Sequence, residues 1–303
     1  MSGPRLRLPA ILVAAALATL IAVPAASAAD PSPSPSHAAD PSVAPPAGWT
    51  YLALGDSNVY GPPDACGYCR TYPHLLTDRI EAELGIPVTL IDGSQYNKLT
   101  SAKLLSEIRR DSWGEPREAP HDAALSPRQA IAAADLITIT VAANEVAWYL
   151  DPDPCGGVFD AACIEKTVTP YGQNMDAVLA EIAQIRAGKP TAVRVTTFYN
   201  DLLTGPGYDP TWFFPAPVVA QALPEGKAYV EALNNAIGDA ATTNGAVVVD
   251  IYHAANGPDG TQAIPPGFFV PTYGDLNQSA QDLYAAEILK VGFEPLTRAV
   301  IAP

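Results

Sequence analysis

Basic residues are scarce in this chain, and their scarcity argues against one class of partner. The 303 residues include 17 Lys and Arg against 32 Asp and Glu. Without Arg5 and Arg7, 15 basic residues remain against 32 acidic ones, a formal charge of −17. No stretch offers the basic stripe that nucleic-acid phosphates require, so we predict no binding to nucleic acid. An acidic surface of this kind mostly keeps an exported protein soluble.

Long apolar runs are absent after the N-terminus, so no later segment is predicted to cross a membrane. Residues 1–9 carry two arginines and no acidic residue, and residues 10–25 are apolar. A-S-A at residues 26–28 has the small-x-small form of a signal-peptidase site. These features predict a signal peptide over residues 1–28 and therefore a secreted, extracellular protein. Its mature chain would begin A-D-P-S-P.

The rest of the chain has globular composition, 48% hydrophobic and 16% charged. Residues 29–48 are rich in Pro, Ser and Ala and cannot bury a core, which predicts a disordered spacer. A single domain is expected over residues 49–303, because this length suits one α/β domain. We expect a monomer.

Cysteine is also rare. An even number of cysteines in an exported chain indicates disulfides. We favour Cys66–Cys69 and Cys155–Cys163, because each pair closes a short local loop. A four-cysteine zinc site is the alternative, but the second spacing is loose and export is oxidising. We predict no metal and no other cofactor.

Short apolar runs that stop at turns alternate with helical patterns along the domain. Five such runs alternating with helices predict an α/β three-layer sandwich around a five-stranded parallel sheet. The predicted strands cover residues 51–54, 87–92, 136–143, 191–199 and 246–252. The predicted helices cover residues 71–83, 101–110, 128–134, 172–187, 225–243 and 278–291.

The first strand ends at Gly55, and Asp56 and Ser57 follow it directly. In an open α/β sheet, ligands and reacting groups collect at this carboxyl edge, which makes Ser57 a candidate nucleophile. The alternative is that Asp56 and Ser57 only turn the chain and cap the next helix. The G-D-S segment alone does not decide between the two.

Four segments in order resemble the SGNH (GDSL-type) hydrolase family. G-D-S lies at residues 55–57, and V-A-A-N-E at 141–145 stands where the family has G-x-N-D. D-I-Y-H-A-A-N-G-P-D-G at 250–260 is similar to secreted actinobacterial-type members. Residues 267–285 open the last helix, where the family has its Asp-x-x-His block. The resemblance implies the flavodoxin-like strand order 2-1-3-4-5.

The resemblance also implies hydrolysis of carboxylic esters, in a lipid or an acylated glycan. Ser57 would attack the acyl carbon. The N–H of Ser57, a glycine N–H from the second block and the side chain of Asn144 would stabilise the oxyanion. A histidine near the carboxyl end, oriented by an aspartate three residues earlier, would be the base that serine needs.

The chain departs from the family pattern at that base. The alignment puts Asp275 at the histidine position and Thr272 at the aspartate position. Lys98 falls on the oxyanion glycine, and Gly93 fits only with a shifted alignment. Loss of a positioned histidine typically costs on the order of 10⁴ in rate. Two functions stay open: an impaired ester hydrolase, or an inactive pseudo-hydrolase that binds an acylated or glycan ligand.

The chain has four histidines, each of which is a possible substitute base. His253 is the candidate, since it follows the fifth strand at the same sheet edge as Ser57, although no orienting partner is evident. An ordinary loop histidine is the alternative there. His37 lies in the spacer, His74 is expected to cap or pack on the first helix, and His121 lies in a polar loop.

Lys98 has two further interpretations. It could act as a base if desolvation lowered its pKa, or it could pair with Asp275 or Glu145; we predict the ion pair. The aromatic segment 208–217 could form a wall of the cleft, or could simply pack on the surface. An FMN-binding protein is disfavoured, because the first loop lacks a phosphate-binding run.

Overall fold

The computed structural model describes residues 48–61, 69–96, 98–114, 124–150, 153–205, 208–270 and 274–297. All of them belong to the second of two units into which the chain divides, Pro45–Pro303. Several sequence predictions lie outside the described residues: the signal peptide, almost all of the spacer, His37, Cys66, His121 and Thr272.

Five parallel strands form one sheet in the order β2-β1-β3-β4-β5. This confirms the predicted fold class and strand order. The first strand is buried along almost its whole length, and its Tyr51 hydroxyl is bonded to the hydroxyl of Thr138 at 2.8 Å. The strands are β1 (Trp49–Gly55), β2 (Val88–Ser94), β3 (Leu136–Thr140), β4 (Ala192–Thr196) and β5 (Val247–Val249).

Helices cover both faces of this sheet. One group packs together on one face: Ser101–Arg110, Pro127–Ala133, Ala161–Ile185 and Lys227–Asn244. A second group packs together on the other: Tyr72–Leu84, Ile251–Asn256 and Gln278–Lys290. Short α-helices lie at Ser57–Tyr60 and Ala216–Val219, and the described part of the chain also has 3₁₀ turns at Ala143–Glu145, Ala147–Tyr149 and Pro210–Trp212 and a π-helical turn at Ala222–Gly226.

Several element boundaries differ from the sequence predictions, and the third and fourth strands each end three residues earlier than predicted, at Thr140 and Thr196. The long helix begins at Ala161 rather than near 172, because Asp160 caps it and Pro170 is accommodated inside. Gly172 is a packing glycine, since a Cβ there would lie 3.1 Å from the Cβ of Ala236. The fifth strand stops at Val249, because the side chain of Asp250 caps a helix over Ile251–Asn256.

The cysteine prediction is confirmed where it can be checked. Cys155 and Cys163 are bonded to each other. The predicted pairing of Cys66 with Cys69 stays a prediction, because Cys66 is outside the described residues. None of the helices in the described ranges is long and apolar enough to cross a membrane.

Candidate active site

The turn after β1 presents Ser57 at the start of a short helix. Asp56 is fully buried and caps that helix: its Oδ1 accepts from the N–H of Asn58 at 3.0 Å. Its Oδ2 accepts from the N–H of Ala142 at 3.4 Å, which ties the turn to the end of β3. Asp56 therefore does the capping, and half-buried Ser57 is not needed for it. No described residue is hydrogen-bonded to Ser57 Oγ.

The last helix is fixed to this turn by one buried side chain. Gln281 Oε1 accepts from the N–H of Tyr72 at 2.8 Å, and its Nε2 donates to the carbonyl of Asn58 at 2.9 Å. Since Asn58 directly follows Ser57, the two bonds hold the start of the last helix beside the serine turn. Gln281 was not among the site residues predicted from the sequence.

Asp275 precedes that helix, and its backbone carbonyl accepts a hydrogen bond from the N–H of Val270 at 2.8 Å. Its side chain is partly buried, and desolvation raises its pKa to about 6. Burial also raises the pKa of Asp56 to about 6, and negative charge on Asp275 adds to that rise. Asp275 stands three residues before the helix that Gln281 ties to the serine turn, and the effect of its charge on the Asp56 pKa agrees with that place. Thr272 is outside the described residues.

The ends of β1 and β3 hold the loop that follows β2. Gln95 N donates to the carbonyl of Gly55 at 2.8 Å, and Asn144 Nδ2 donates to the carbonyl of Leu99 at 3.0 Å. Glu145 Oε1 accepts from both the N–H and the hydroxyl of Ser101. These bonds bring the loop and Asn144 to the same edge as Ser57.

Glu145 is buried, and only one of its two carboxyl oxygens is hydrogen-bonded in the part of the chain that the structure describes. Its Oε2 has no hydrogen-bond partner within the described ranges. Burial raises its pKa to about 7, with a further contribution from the charge of Asp56. From the sequence, Glu145 was predicted only as a possible ion-pair partner of Lys98. Its place in V-A-A-N-E, where the family has an aspartate, was the available signal.

Lys98 lies in this loop with a left-handed backbone, φ 57°. That conformation favours glycine, and Lys98 falls where the alignment expects one. An oxyanion donor of this kind is a backbone N–H, so the side chain does not remove it. No described residue accepts a hydrogen bond from Lys98 N. Gly93, by contrast, lies inside β2 and pairs with Leu54.

The predicted ion pair of Lys98 is not formed. No salt bridge in the described ranges joins Lys98 to Asp275 or Glu145. Lys98 is exposed, whereas Glu145 is buried and already held by Ser101. Moving an ammonium group out of water to reach either carboxyl group would cost its hydration, which explains the difference.

His253 has the orienting partner that the sequence did not make evident. Its Nδ1 lies 2.7 Å from Asp250 Oδ2, and both side chains are about half exposed. The pair spans one turn of the helix Ile251–Asn256. However, β5 lies three strand spacings from β1, about 14 Å at about 4.8 Å each. The described contacts do not bring His253 to Ser57.

The aromatic segment lies beside Asp275. The rings of Tyr208 and Phe213 stack at 5.9 Å, and a Cβ on Gly274 would lie 3.1 Å from the Tyr208 hydroxyl. Phe214 is buried, but Trp212 is 62% exposed. The segment therefore combines both sequence interpretations: part of it packs, and part faces solvent next to the turn.

Most of the chain matches one known protein family. Residues 53–267 match the model of the GDSL-like Lipase/Acylhydrolase family. The chain belongs to this family. The matched stretch includes Ser57 and Asn144 and ends before Asp275. The chain is also similar to Lipase 2 of Streptomyces coelicolor. The two are 28% identical over 234 residues, which cover 70% of this chain and 73% of that protein.

Solved structures support the same fold for this GDSL-like chain. A lipase from a goat rumen metagenome superposes with a TM-score of 0.60 at 16% identity, covering 82% of this chain and 99% of that one. A catalytic mutant of an acetylxylan esterase from Geobacillus stearothermophilus gives a TM-score of 0.51 at 14% identity, covering 82% and 96%. At these identities the likeness concerns the fold alone.

Proposed function

We propose that this protein is a slow carboxylic ester hydrolase in which Ser57 is the nucleophile and Asp275 holds the position of the family's histidine. The proposal is supported by the common sheet edge at which Ser57 and Asn144 lie, and by the place of Asp275 just before the helix that Gln281 ties to the serine turn.

The oxyanion site is supported by backbone and amide donors. Ser57 N is a first-turn helix N–H, and such groups have no acceptor within the helix. Lys98 N is a second donor without an acceptor in the described ranges, and the Asn144 amide, which uses one N–H on Leu99, has another. Donors fixed in advance are what a developing oxyanion requires.

Asp275 would act as the base. Its carboxylate accepts the proton of Ser57 as Oγ bonds to the acyl carbon, and the proton then passes to the leaving alcohol. Water attacks the acyl-enzyme by the same route and releases the acid. A pKa of about 6 gives a basicity near that of imidazole, about 6.5. The reaction is slow because Asp275 becomes neutral when it accepts the proton, whereas a protonated histidine would carry a positive charge that stabilises the developing anion.

Hydrolysis of 4-nitrophenyl butyrate tests this function. We expect a slow rate that rises with pH through about 6, because Asp275 must lose its proton to accept another. Ser57→Ala and Asp275→Asn should each remove the activity. His253→Ala is the matched control and should leave the rate within twofold. Loss of activity in His253→Ala alone would show that His253, not Asp275, is the base.

A pseudo-hydrolase that binds an acylated or glycan ligand is the second candidate. The absence of any hydrogen bond to Ser57 Oγ from the described residues favours it, because an active site of this family positions a base there. In that case purified wild-type protein would bind acetylated xylo-oligosaccharide yet hydrolyse no ester faster than Ser57→Ala.

We also propose that the protein is exported. The charge and apolar pattern of residues 1–28 support this, and so does the bonded pair Cys155–Cys163, which suits an oxidising compartment. N-terminal sequencing of protein recovered from the medium should read A-D-P-S-P. An intact leader on intracellular protein would contradict export.

A further inference from the structure

The exposed side chain of Lys98 is the feature that the proposed reaction does not use. Lys98 and Asp111 are the two non-glycine residues with positive φ in the described part of the chain. Asp111 is explained, because it ends the helix Ser101–Arg110 in a left-handed cap. Lys98 ends no helix. A lysine held in a conformation that favours glycine costs stability, and such strain collects where function requires it.

The charge of Lys98 is also unusual for its surroundings. Without its predicted signal peptide the chain carries a formal charge of −17, and acidic side chains bond to this loop and its borders: Glu145 to Ser101, Glu107 to Gln95 and Asp92 to Ser94. Lys98 forms no ion pair with any of them. An exposed ammonium group next to an oxyanion site can therefore bind an anion that the rest of the protein would repel.

We propose that Lys98 is a substrate-binding residue that selects esters whose acyl chain carries a carboxylate. The glycine of the family pattern has no side chain, so this selectivity would be particular to chains with a cation at this position. The inference rests on the proposed ester hydrolysis and names its preferred substrate class. An ammonium–carboxylate contact at an exposed site favours binding by about fivefold.

Two matched substrates test the inference: the mono-4-nitrophenyl ester of adipic acid, and the same ester with its free acid methylated. We expect wild-type protein to have kcat/KM about fivefold higher for the acid, after subtraction of the Ser57→Ala background. Lys98→Met should bring the ratio to about one, and Lys98→Arg should keep it. Lys103→Met removes a nearby exposed charge and should leave the ratio unchanged. The preference should also shrink in 0.5 M NaCl.

Lys98→Gly separates binding from structure. It should lose the preference while its melting temperature stays equal or rises, because glycine accepts the left-handed backbone. An unchanged ratio in Lys98→Met, with both esters hydrolysed, would refute the inference and leave ester hydrolysis standing. If neither ester is hydrolysed, an NMR titration with monomethyl adipate decides. Shifts lost in Lys98→Met support the inference, and equal shifts in both proteins overturn it.

Discussion

Glu145→Gln should change how stability depends on pH. In the folded protein the Glu145 pKa is about 7, against 4.5 for an ordinary glutamate, because the side chain is buried. The folded state therefore holds a proton that the unfolded chain releases. The resulting stability is fully present below pH 4.5 and is lost as the pH rises through 7. Glutamine has no proton to lose, so the variant should not show this loss.

The size of the effect follows from the shift. A rise of about 2.5 pKa units corresponds to about 3 kcal/mol. The free energy of unfolding of Glu145→Gln, relative to wild type, should thus increase by about 3 kcal/mol between pH 4.5 and pH 8. The variant's amide nitrogen takes the place of an unpartnered oxygen, which costs about 1–3 kcal/mol. That offset is the same at every pH and does not affect the slope.

Urea unfolding followed by tryptophan fluorescence measures this difference, since Trp49 and Trp148 are buried. Asp201 and Asp275 also have raised pKa values, but neither acts on the pKa of Glu145, so their contributions are the same in both proteins and cancel. Glu165→Gln is the matched control, because it removes a carboxyl group from an exposed position. Parallel pH curves for wild type and Glu145→Gln would refute the assignment of a desolvated carboxyl group.

Two further substitutions test the support of the serine turn. Gly55→Ala should lower the free energy of unfolding by about 3 kcal/mol, because the alanine Cβ would lie 2.0 Å from Val59 Cγ2 and 3.0 Å from the carbonyl oxygen of Thr140. A decrease below about 1 kcal/mol, measured by urea unfolding, would contradict this packing. Gln281→Leu should lower the free energy of unfolding by about 2–4 kcal/mol, because it leaves Tyr72 N and the Asn58 carbonyl without a hydrogen-bond partner. Gln278→Leu is the control at a more exposed position, and it should lower the free energy of unfolding by less than half as much.

The architecture was predictable because local patterns and tertiary structure agree over most of the domain. Apolar runs that stop at turns identified all five strands, and the helix predicted over 128–134 forms at Pro127–Ala133, where Ser126 provides a capping box. Unrecognised helix caps account for two of the boundary errors. Asp160 and Asp250 each cap a helix, whereas the predictions started the long helix at 172 and continued the fifth strand to 252.

The site was predictable only in part. Ser57 and Asn144 follow adjacent strands, and parallel strands end at one edge, so their meeting follows from topology. The predicted ion pair of Lys98 was wrong, because the sequence shows which residues carry opposite charges but not which of them are buried. Burial raises the pKa values of Asp56 and Glu145, and hydrogen bonds from Ala142 and Ser101, which are far away in sequence, offset part of that rise; local sequence patterns show neither effect.

The rate at which Ser57 is acylated tests the central claim most directly. Intact mass spectrometry with a fluorophosphonate would follow labelling of wild type, Ser57→Ala and the double variant Thr272→Asp/Asp275→His. We expect slow labelling of wild type that depends on Ser57, and labelling at least about a hundredfold faster in the double variant, which restores the histidine and its partner. Rapid stoichiometric labelling of wild type, or a double variant no faster than wild type, would contradict the account.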